Sequence, residues 1–353
     1  MKIATIIGAR PQFIKAAPVS RHLKRIKEIN EIIIHTGQHY EKNMSDIFFK
    51  QLDIKKPNYN LDINQADYSI MIEKMVASLV QILIPQKIDG VLVYGDTNST
   101  LAGSLAAKKI NIPLFHVEAG LRSKNRNMLE EGNRIITDHL SALLFCPTRT
   151  AVKNLYNEKI KEGVIFSGDV MYDSFLKFFI SKENFLKNQI NVNGKYNLST
   201  IHRRENIQSK SKLLSIFNAL ESINEQVKVI MPVHPHTKKQ LKKFKIISNI
   251  SFIEPLDYFS MLSLLKSCEM VITDSGGFQK ESFFAKKKCI ILRAETEWVE
   301  LIKNGTSILS NSDNLLDDFK KLTNQNCKFS GNIFGSGNAS ECIAESIKAY
   351  LQK

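Results

Sequence analysis

No apolar run in this sequence approaches the ~20 residues needed to span a bilayer, so membrane insertion is not expected. Paired cysteines are also lacking. The five cysteines, Cys146, Cys268, Cys289, Cys327 and Cys342, are scattered, odd in number and free of any C-x-x-C spacing. That pattern fits reduced thiols in a cytoplasm and argues against a structural zinc site. There is no G-x-G-x-x-G after the first strand-like run, so the dinucleotide fingerprint is absent. No zinc finger, RRM aromatic signature or basic zipper accompanies the net charge of +14, and the lysines are spread along the chain. The densest run, Lys238 to Lys245, reads as one solvated helix face, so nucleic acid is not an expected partner. The basic surface still draws in a small anionic substrate. No short-period repeat or low-complexity segment is present.

What remains is globular: 43% of residues are apolar and 24% charged, and 353 residues suffice for two or three domains with their own cores. The opening Met1-Lys2-Ile3-Ala4-Thr5-Ile6-Ile7-Gly8 runs straight into Ala9-Arg10-Pro11 without a small-residue cleavage site, so a first core strand is expected rather than a signal peptide. Short apolar runs (3–8, 32–36, 90–95, 113–117 and 143–146) alternate with helix-like stretches (13–27, 70–85, 97–109 and 133–140). Continuous apolar strands separated by helices predict a parallel sheet covered on both faces. The pattern restarts after a helical connector near 175–188, with strands at 196–201, 227–233, 270–273 and 289–292 and helices at 213–223, 258–267 and 277–284. Two doubly wound Rossmann-like domains follow, 1–170 and 171–338. Ligand sites in such sheets lie at the C-terminal strand ends, and two halves facing each other would place a cleft between them.

The chemistry-bearing residues cluster at those strand ends. Gly8-Ala9-Arg10-Pro11-Gln12-Phe13-Ile14-Lys15 turns strand into helix, with Pro11 in the first helical turn and Arg10 and Lys15 adding charge to a helix start that attracts phosphate. Asp96 stands at the mouth of the 90–95 strand, where it or Thr97 could simply cap the next helix. His116, Glu118 and Arg122 crowd another strand end, where ionisable groups are costly unless paired or useful. Glu130 and Glu131 precede Asn133 and Arg134, and helix-start chemistry accounts for one of the two glutamates. His202-Arg203-Arg204 after the first strand of the second half suits a diphosphate. Asp274-Ser275-Gly276-Gly277 opens a helix whose N-terminus and glycines allow close phosphate approach, with Glu281 one turn in to accept from ribose hydroxyls. His234 and His236 end another strand. They lack a third ligand, so no metal is expected, and His234 is placed with the substrate contacts.

In this order the motifs resemble the non-hydrolysing UDP-N-acetylglucosamine 2-epimerase family. The carriers are Gly8 to Pro18, Thr36-Gly37-Gln38-His39, Gly95-Asp96-Thr97, His116 to Arg122, Glu130-Glu131-x-Asn133-Arg134, His202 to Asn206 and Asp274 to Gly277, over nearly the whole chain from Lys2 to about Leu309. The resemblance implies a GT-B-like architecture, with a nucleotide cleft between two Rossmann-like domains and a final helix, 339–351 here, packed back on the first. It implies catalytic Asp96, Glu118, Glu130 and His202, and UDP contacts from Arg10, Ser275, Gly276, Gly277 and Glu281. Arg134 matches a substrate-positioning arginine. The implied reaction inverts C2 of a UDP-linked N-acetylated aminosugar through elimination and re-addition of UDP, with no metal or nicotinamide, for surface polysaccharide precursors; a homodimer is the expected assembly.

The chain departs from the family pattern at Leu129, where proline is usual, at Tyr40, where many members have arginine, and at Thr296-Glu297-Trp298-Val299-Glu300. The last variant is similar to the branch acting on UDP-2,3-diacetamido uronic acids. Three other readings compete. A hydrolysing epimerase would release free sugar. Many retaining GT-B glycosyltransferases pair glutamates eight positions apart, but the partner position of Glu281 is Cys289. A non-catalytic UDP-sugar-binding module would bind without C2 exchange.

Overall fold

The computed structural model of the chain describes residues 1–38, 52, 54–65, 67–125, 127–181, 192, 194–329 and 331–353. The chain divides into two compact units, one formed by Met1–Ser174 with Asn332–Lys353 and the other by Phe175–Gly331. No helix among the described residues is long and apolar enough to cross a membrane.

The first unit is built on seven parallel strands in the order β3-β2-β1-β4-β5-β6-β7. They are β1 (Lys2–Ile7), β2 (Asn30–His35), β3 (Tyr59–Asn60), β4 (Gly90–Tyr94), β5 (Leu114–Val117), β6 (Leu143–Cys146) and β7 (Val164–Phe166). Strand β4, Gly-Val-Leu-Val-Tyr, is buried along its whole length. It pairs in parallel with β1 on one side and β5 on the other, as a strand covered on both faces must be apolar throughout. The second unit has six parallel strands in the order β10-β9-β8-β11-β12-β13. These are β8 (Tyr196–Thr200), β9 (Lys228–Pro232), β10 (Ser251–Ile253), β11 (Met270–Thr273), β12 (Lys288–Leu292) and β13 (Ser307–Ser310). Each unit has its own apolar core, one around Ile6, Met75, Leu79 and Val93, the other around Phe217, Leu220, Met231 and Ile272.

Strand order reverses between β1 and β4 in the first sheet and between β8 and β11 in the second. Connections leave those neighbouring strands toward opposite faces, which opens a crevice at their C-terminal ends. Four of the conspicuous motifs, at Gly8, Gly95–Asp96, His202 and Asp274–Ser275, follow these four strands.

Two helices begin earlier than periodicity suggests. Helix α1 (Arg10–Leu23) starts at the Arg-Pro step because Gln12 caps it: its Oε1 accepts the backbone N–H groups of Gly8 at 2.8 Å and Ala9 at 3.0 Å. Helices α2 (Tyr68–Leu83) and α3 (Asn98–Lys109) are capped by Asp67 and Thr97. The helix expected from Asn133 starts instead at Leu129, so α4 (Leu129–Leu140) carries Glu130 and Glu131 in its first turn. Helices α5 (Arg149–Asn157) and α6 (Val170–Ser181) complete the run.

In the second unit come α7 (Arg204–Ile207), α8 (Lys210–Asn224), α9 (Pro235–Phe244), α10 (Tyr258–Ser267), α11 (Gly276–Phe284), α12 (Val299–Lys303) and α13 (Leu315–Asn324). The last helix, α14 (Ala339–Leu351), belongs to the first unit. Asp173 fixes its start, accepting the N–H groups of Ala339 at 3.2 Å and Ser340 at 2.7 Å. Cys146 and Cys289 are buried thiols within β6 and β12.

Candidate active site

In the first unit the turn after β4 is possible because Gly95 adopts a left-handed φ of 67°. A Cβ there would also come within 3.1 Å of Lys15 Nζ, so the backbone conformation favours glycine and a side chain would press on the lysine. The next residue, Asp96, does not cap α3. Thr97 does, accepting the Thr100 N–H. Asp96 is left with its side chain 31% exposed and ion-paired to Arg134 Nη2. Asn133 Nδ2 donates to the Asp96 carbonyl at 2.9 Å and so fixes the backbone beneath that carboxylate.

Glu118 follows β5 with a left-handed φ of 75°, a conformation that a side-chain-bearing residue adopts only under constraint. Its backbone N–H is held by the Phe145 carbonyl at 3.1 Å. The side chain is buried. Lys15 Nζ donates to Glu118 Oε1 at 2.6 Å. Arg134 Nη1 donates to the Glu118 carbonyl at 2.6 Å and stands 3.6 Å from Oε1. Asp96, Glu118, Lys15 and Arg134 therefore form a quartet of two acids and two bases. Its balanced charge is what allows three of the four to be buried.

The two glutamates of α4 separate cleanly. Glu131 is buried and structural: its carboxylate accepts the Ser123 N–H at 2.8 Å, the Ser123 hydroxyl at 2.9 Å and the Lys124 N–H at 2.9 Å, tying down the loop before the helix. Glu130 is exposed on the first turn. Burial and then the Glu130 charge push the Tyr68 hydroxyl above its usual range, which places Glu130 beside Tyr68. Tyr68 donates to Asn133 Oδ1 at 2.7 Å, and Asn133 holds Asp96. Glu130 stands at the rim of the quartet rather than within it.

In the second unit the strand ends of β8 and β11 meet on Asp274, which is fully buried. It accepts the N–H groups of His202 at 3.0 Å and Arg203 at 2.9 Å, and Asn206 Nδ2 at 3.1 Å. His202 Nδ1 lies 3.1 Å from Asp274 Oδ1, with the imidazole 41% exposed. Burial alone would raise the Asp274 carboxyl. The hydrogen bond and charge of His202, with the Arg203 N–H and Asn206, outweigh it and hold Asp274 below the usual carboxylate range. His234 lies beside His202, ring centroids 6.0 Å apart, and caps α9 by accepting the His236 N–H.

Ser275 caps α11, and Gly276 and Gly277 form its first turn. A Cβ on Gly276 would lie 2.6 Å from Glu297 Oε1, and Glu297 in turn receives Arg293 Nη1 at 2.9 Å. Glu281 is buried within α11. Trp298 is buried with Lys280 Nζ 4.1 Å from its ring centroid.

Arg10 opens α1, and its side chain lies outside the described residues, as do His39 and Tyr40. Lys15, expected beside the α1 helix start as a phosphate contact, donates to Glu118 in this structure. In the first unit Asp96, Glu118, Lys15 and Arg134 come together, and in the second His202 stands between Asp274 and His234. Gln12, Tyr68 and Asn133 act through hydrogen bonds that the sequence does not announce, Tyr68 with Asn133 across 65 residues and Gln12 with the Tyr94 carbonyl across 82. In sequence, Asp274 reads only as part of a glycine-rich turn.

The UDP-N-acetylglucosamine 2-epimerase family model matches residues 21–348. A Methanococcus maripaludis protein described as a UDP-N-acetylglucosamine 2-epimerase homolog is 47% identical, with 99% of each chain covered. The Pseudomonas aeruginosa UDP-2,3-diacetamido-2,3-dideoxy-D-glucuronate 2-epimerase is 44% identical over the whole of both chains. The crystal structure of Methanocaldococcus jannaschii UDP-GlcNAc 2-epimerase in complex with UDP-GlcNAc and UDP superposes with a TM-score of 0.91 at 39% identity, covering 99% of this chain and 100% of that one. With its two parallel-sheet α/β units of the GT-B-like class and its acid–base quartet at the first strand reversal, the chain belongs to the UDP-N-acetylglucosamine 2-epimerase family.

Proposed function

We propose that this protein inverts C2 of a UDP-linked 2-acetamido sugar without net hydrolysis. The observation that carries the reading is the Asp96–Glu118 pair, held by Arg134 and Lys15 at adjacent strand ends in a chain of this family. The C2 proton is not acidified by a neighbouring carbonyl, so direct removal is slow, and elimination offers an easier route. The C1–O bond breaks with its electron pair leaving on UDP, the C2 proton passes to a carboxylate, and a C1=C2 glycal remains. A proton then adds to the opposite face of C2, and a UDP oxygen re-forms the bond to C1.

Asp96, Glu118 and Glu130 are the three carboxylates available to move protons and to offset positive charge at C1. His202, Arg10 and the Ser275-Gly276-Gly277 helix start suit the charge that grows on the leaving diphosphate, with His234 and Glu281 as further nucleotide contacts. The α11 start is well formed for that role, since Ser275 caps it and the glycines remove side chains from the approach. Two sugars head the candidates, N-acetylglucosamine and a 2,3-diacetamido uronic acid. They are the sugars named for the Methanocaldococcus and Pseudomonas relatives. The Trp298–Val299 segment favours the second. In this reading the enzyme works in the cytoplasm as a homodimer and supplies surface polysaccharide precursors.

The test is proton NMR in heavy water with both UDP-sugars and no added metal or NAD. Deuterium at C2 with a stable mixture of two UDP-sugars is expected for one of them. Asp96→Asn and Glu118→Gln should fold normally and lose most turnover. Free sugar and UDP as the end products would identify a hydrolase, transfer to an added acceptor a glycosyltransferase, and binding without exchange a binding module; each overturns the proposal.

A further inference from the structure

His116 is the last-but-one residue of β5, fully buried, and neither of its ring nitrogens is idle. Nδ1 lies 2.7 Å from Asp138 Oδ1, on α4. Nε2 lies 2.8 Å from the Gly95 carbonyl, the peptide group that joins Gly95 to Asp96. A carbonyl oxygen only accepts, so Nε2 carries a proton. Nδ1 engages the Asp138 carboxyl, whose Oδ2 already accepts Arg122 Nη1 at 2.7 Å and the Gly120 N–H at 3.1 Å. Burial alone would push the Asp138 carboxyl up, but its contacts with His116 and Arg122 outweigh it and hold the carboxyl below its usual range.

We infer that His116 acts as a positioning residue, fixing the separation of the two turns that carry Asp96 and Glu118. One ring nitrogen holds the peptide before Asp96. The other holds Asp138, whose second oxygen holds Gly120, two residues past Glu118. Arg122 is paired bidentately with Glu158 at 2.7 and 2.6 Å, which fixes the guanidinium that holds Asp138. A glutamine at His116 cannot reach both partners in these directions, and both turns would relax.

The positioning role rests on Asp96 and Glu118 being the reacting carboxylates; the hydrogen bond to the Gly95 carbonyl does not, and the two are read separately. In protein labelled with nitrogen-15 at histidine, the His116 ring is assigned by the signal lost in His116→Gln. Nε2 is expected at an N–H shift at neutral pH, as the contact with the Gly95 carbonyl requires. A bare Nε2 would overturn the inference, and this readout needs no variant to be active. His116→Gln and Asp138→Asn should lose on the order of a hundredfold in kcat, the scale of a roughly 1 Å misplacement. KM should move less than about threefold, since substrate contacts are untouched. Wild-type kcat in a folded His116→Gln protein overturns the positioning role. If the wild-type protein itself exchanges no C2 proton, the catalytic reading fails while the nitrogen spectrum still reports the Nε2–H bond to the Gly95 carbonyl.

Discussion

Lys15 Nζ lies 2.6 Å from Glu118 Oε1, joining the first helix of the chain to a strand end 103 residues later. Both side chains are below a tenth exposed, at 9% and 6%. An ammonium in that position aims the glutamate, and neither group gains by leaving the other.

Removing one partner should therefore cost more than removing both. Lys15→Met leaves a buried carboxylate with Arg134 as its remaining counter-charge and is expected to destabilise the protein by about 3 kcal/mol, the low end for breaking a buried pair. Lys15→Met with Glu118→Gln should recover about 1–3 kcal/mol of that through the coupling between neighbours. Urea unfolding of the two single variants and the double variant measures the cycle. Strict additivity would mean that the contact contributes nothing as a pair.

Glu130 and Glu131 should divide function from stability. Glu131→Ala strips three acceptor contacts from the Ser123–Lys124 loop and should lower stability by about 1–3 kcal/mol. Glu130→Gln, exposed on the same turn, should leave stability within about 0.5 kcal/mol while turnover drops. Thermal melts and C2 exchange rates on the two variants check this together. The reverse assignment would place catalysis on Glu131.

The extent to which these features can be read from sequence follows from what each strand and side chain has to do. The largely apolar runs of β1, β4 and β11 announce central strands, because these are covered on both faces. The strands missing from the expectation, β3, β7, β10 and β13, are the four sheet edges. An edge strand is short and only partly covered, so Val164–Phe166 or Ser251–Ile253 carries too little apolar signal to stand out. The carboxylates announce themselves for the opposite reason: charge at the end of a buried strand needs an explanation. Which of two adjacent glutamates turns inward is set by where α4 starts, and Leu129 in place of the usual proline gives no local sign of it. The supporting donors Gln12, Tyr68 and Asn133 are legible only once distant elements are brought together.

Asp274 supplies a pH signature. Its carboxyl is held below the usual range in the fold, so it binds its proton less tightly folded than unfolded. The stability it contributes is complete above the unfolded value of ~3.9 and is lost as pH falls through the lower folded value. Asp274→Asn should therefore unfold more easily than wild type at neutral pH, with the gap closing as pH drops below about 4. The exposed His202 ring should also lose its orientation, and UDP binding should weaken at neutral pH. Urea midpoints and UDP titrations across that range measure both. A gap independent of pH would detach Asp274 from any charge-dependent role.

Glu31 on β2 titrates with the opposite sign. Burial dominates and raises its carboxyl despite hydrogen bonds from the hydroxyls of Thr5 at 2.5 Å and Ser20 at 2.9 Å. The same charge adds to the burial that pushes the Tyr94 hydroxyl well above its usual range. A raised carboxyl binds its proton more tightly in the fold, so its favourable contribution is complete below the unfolded value of ~4.3 and disappears as pH rises through the folded value. At neutral and alkaline pH the wild-type protein thus carries an ionised group in a place that disfavours charge. Glu31→Gln keeps an acceptor for both hydroxyls and removes the charge. It should raise the melting temperature at about pH 8 and leave it nearly unchanged near about pH 4, where wild-type Glu31 is itself largely neutral. A variant less stable than wild type at alkaline pH would show that the carboxylate is matched to its surroundings after all, with charges such as Lys55 compensating its burial in full.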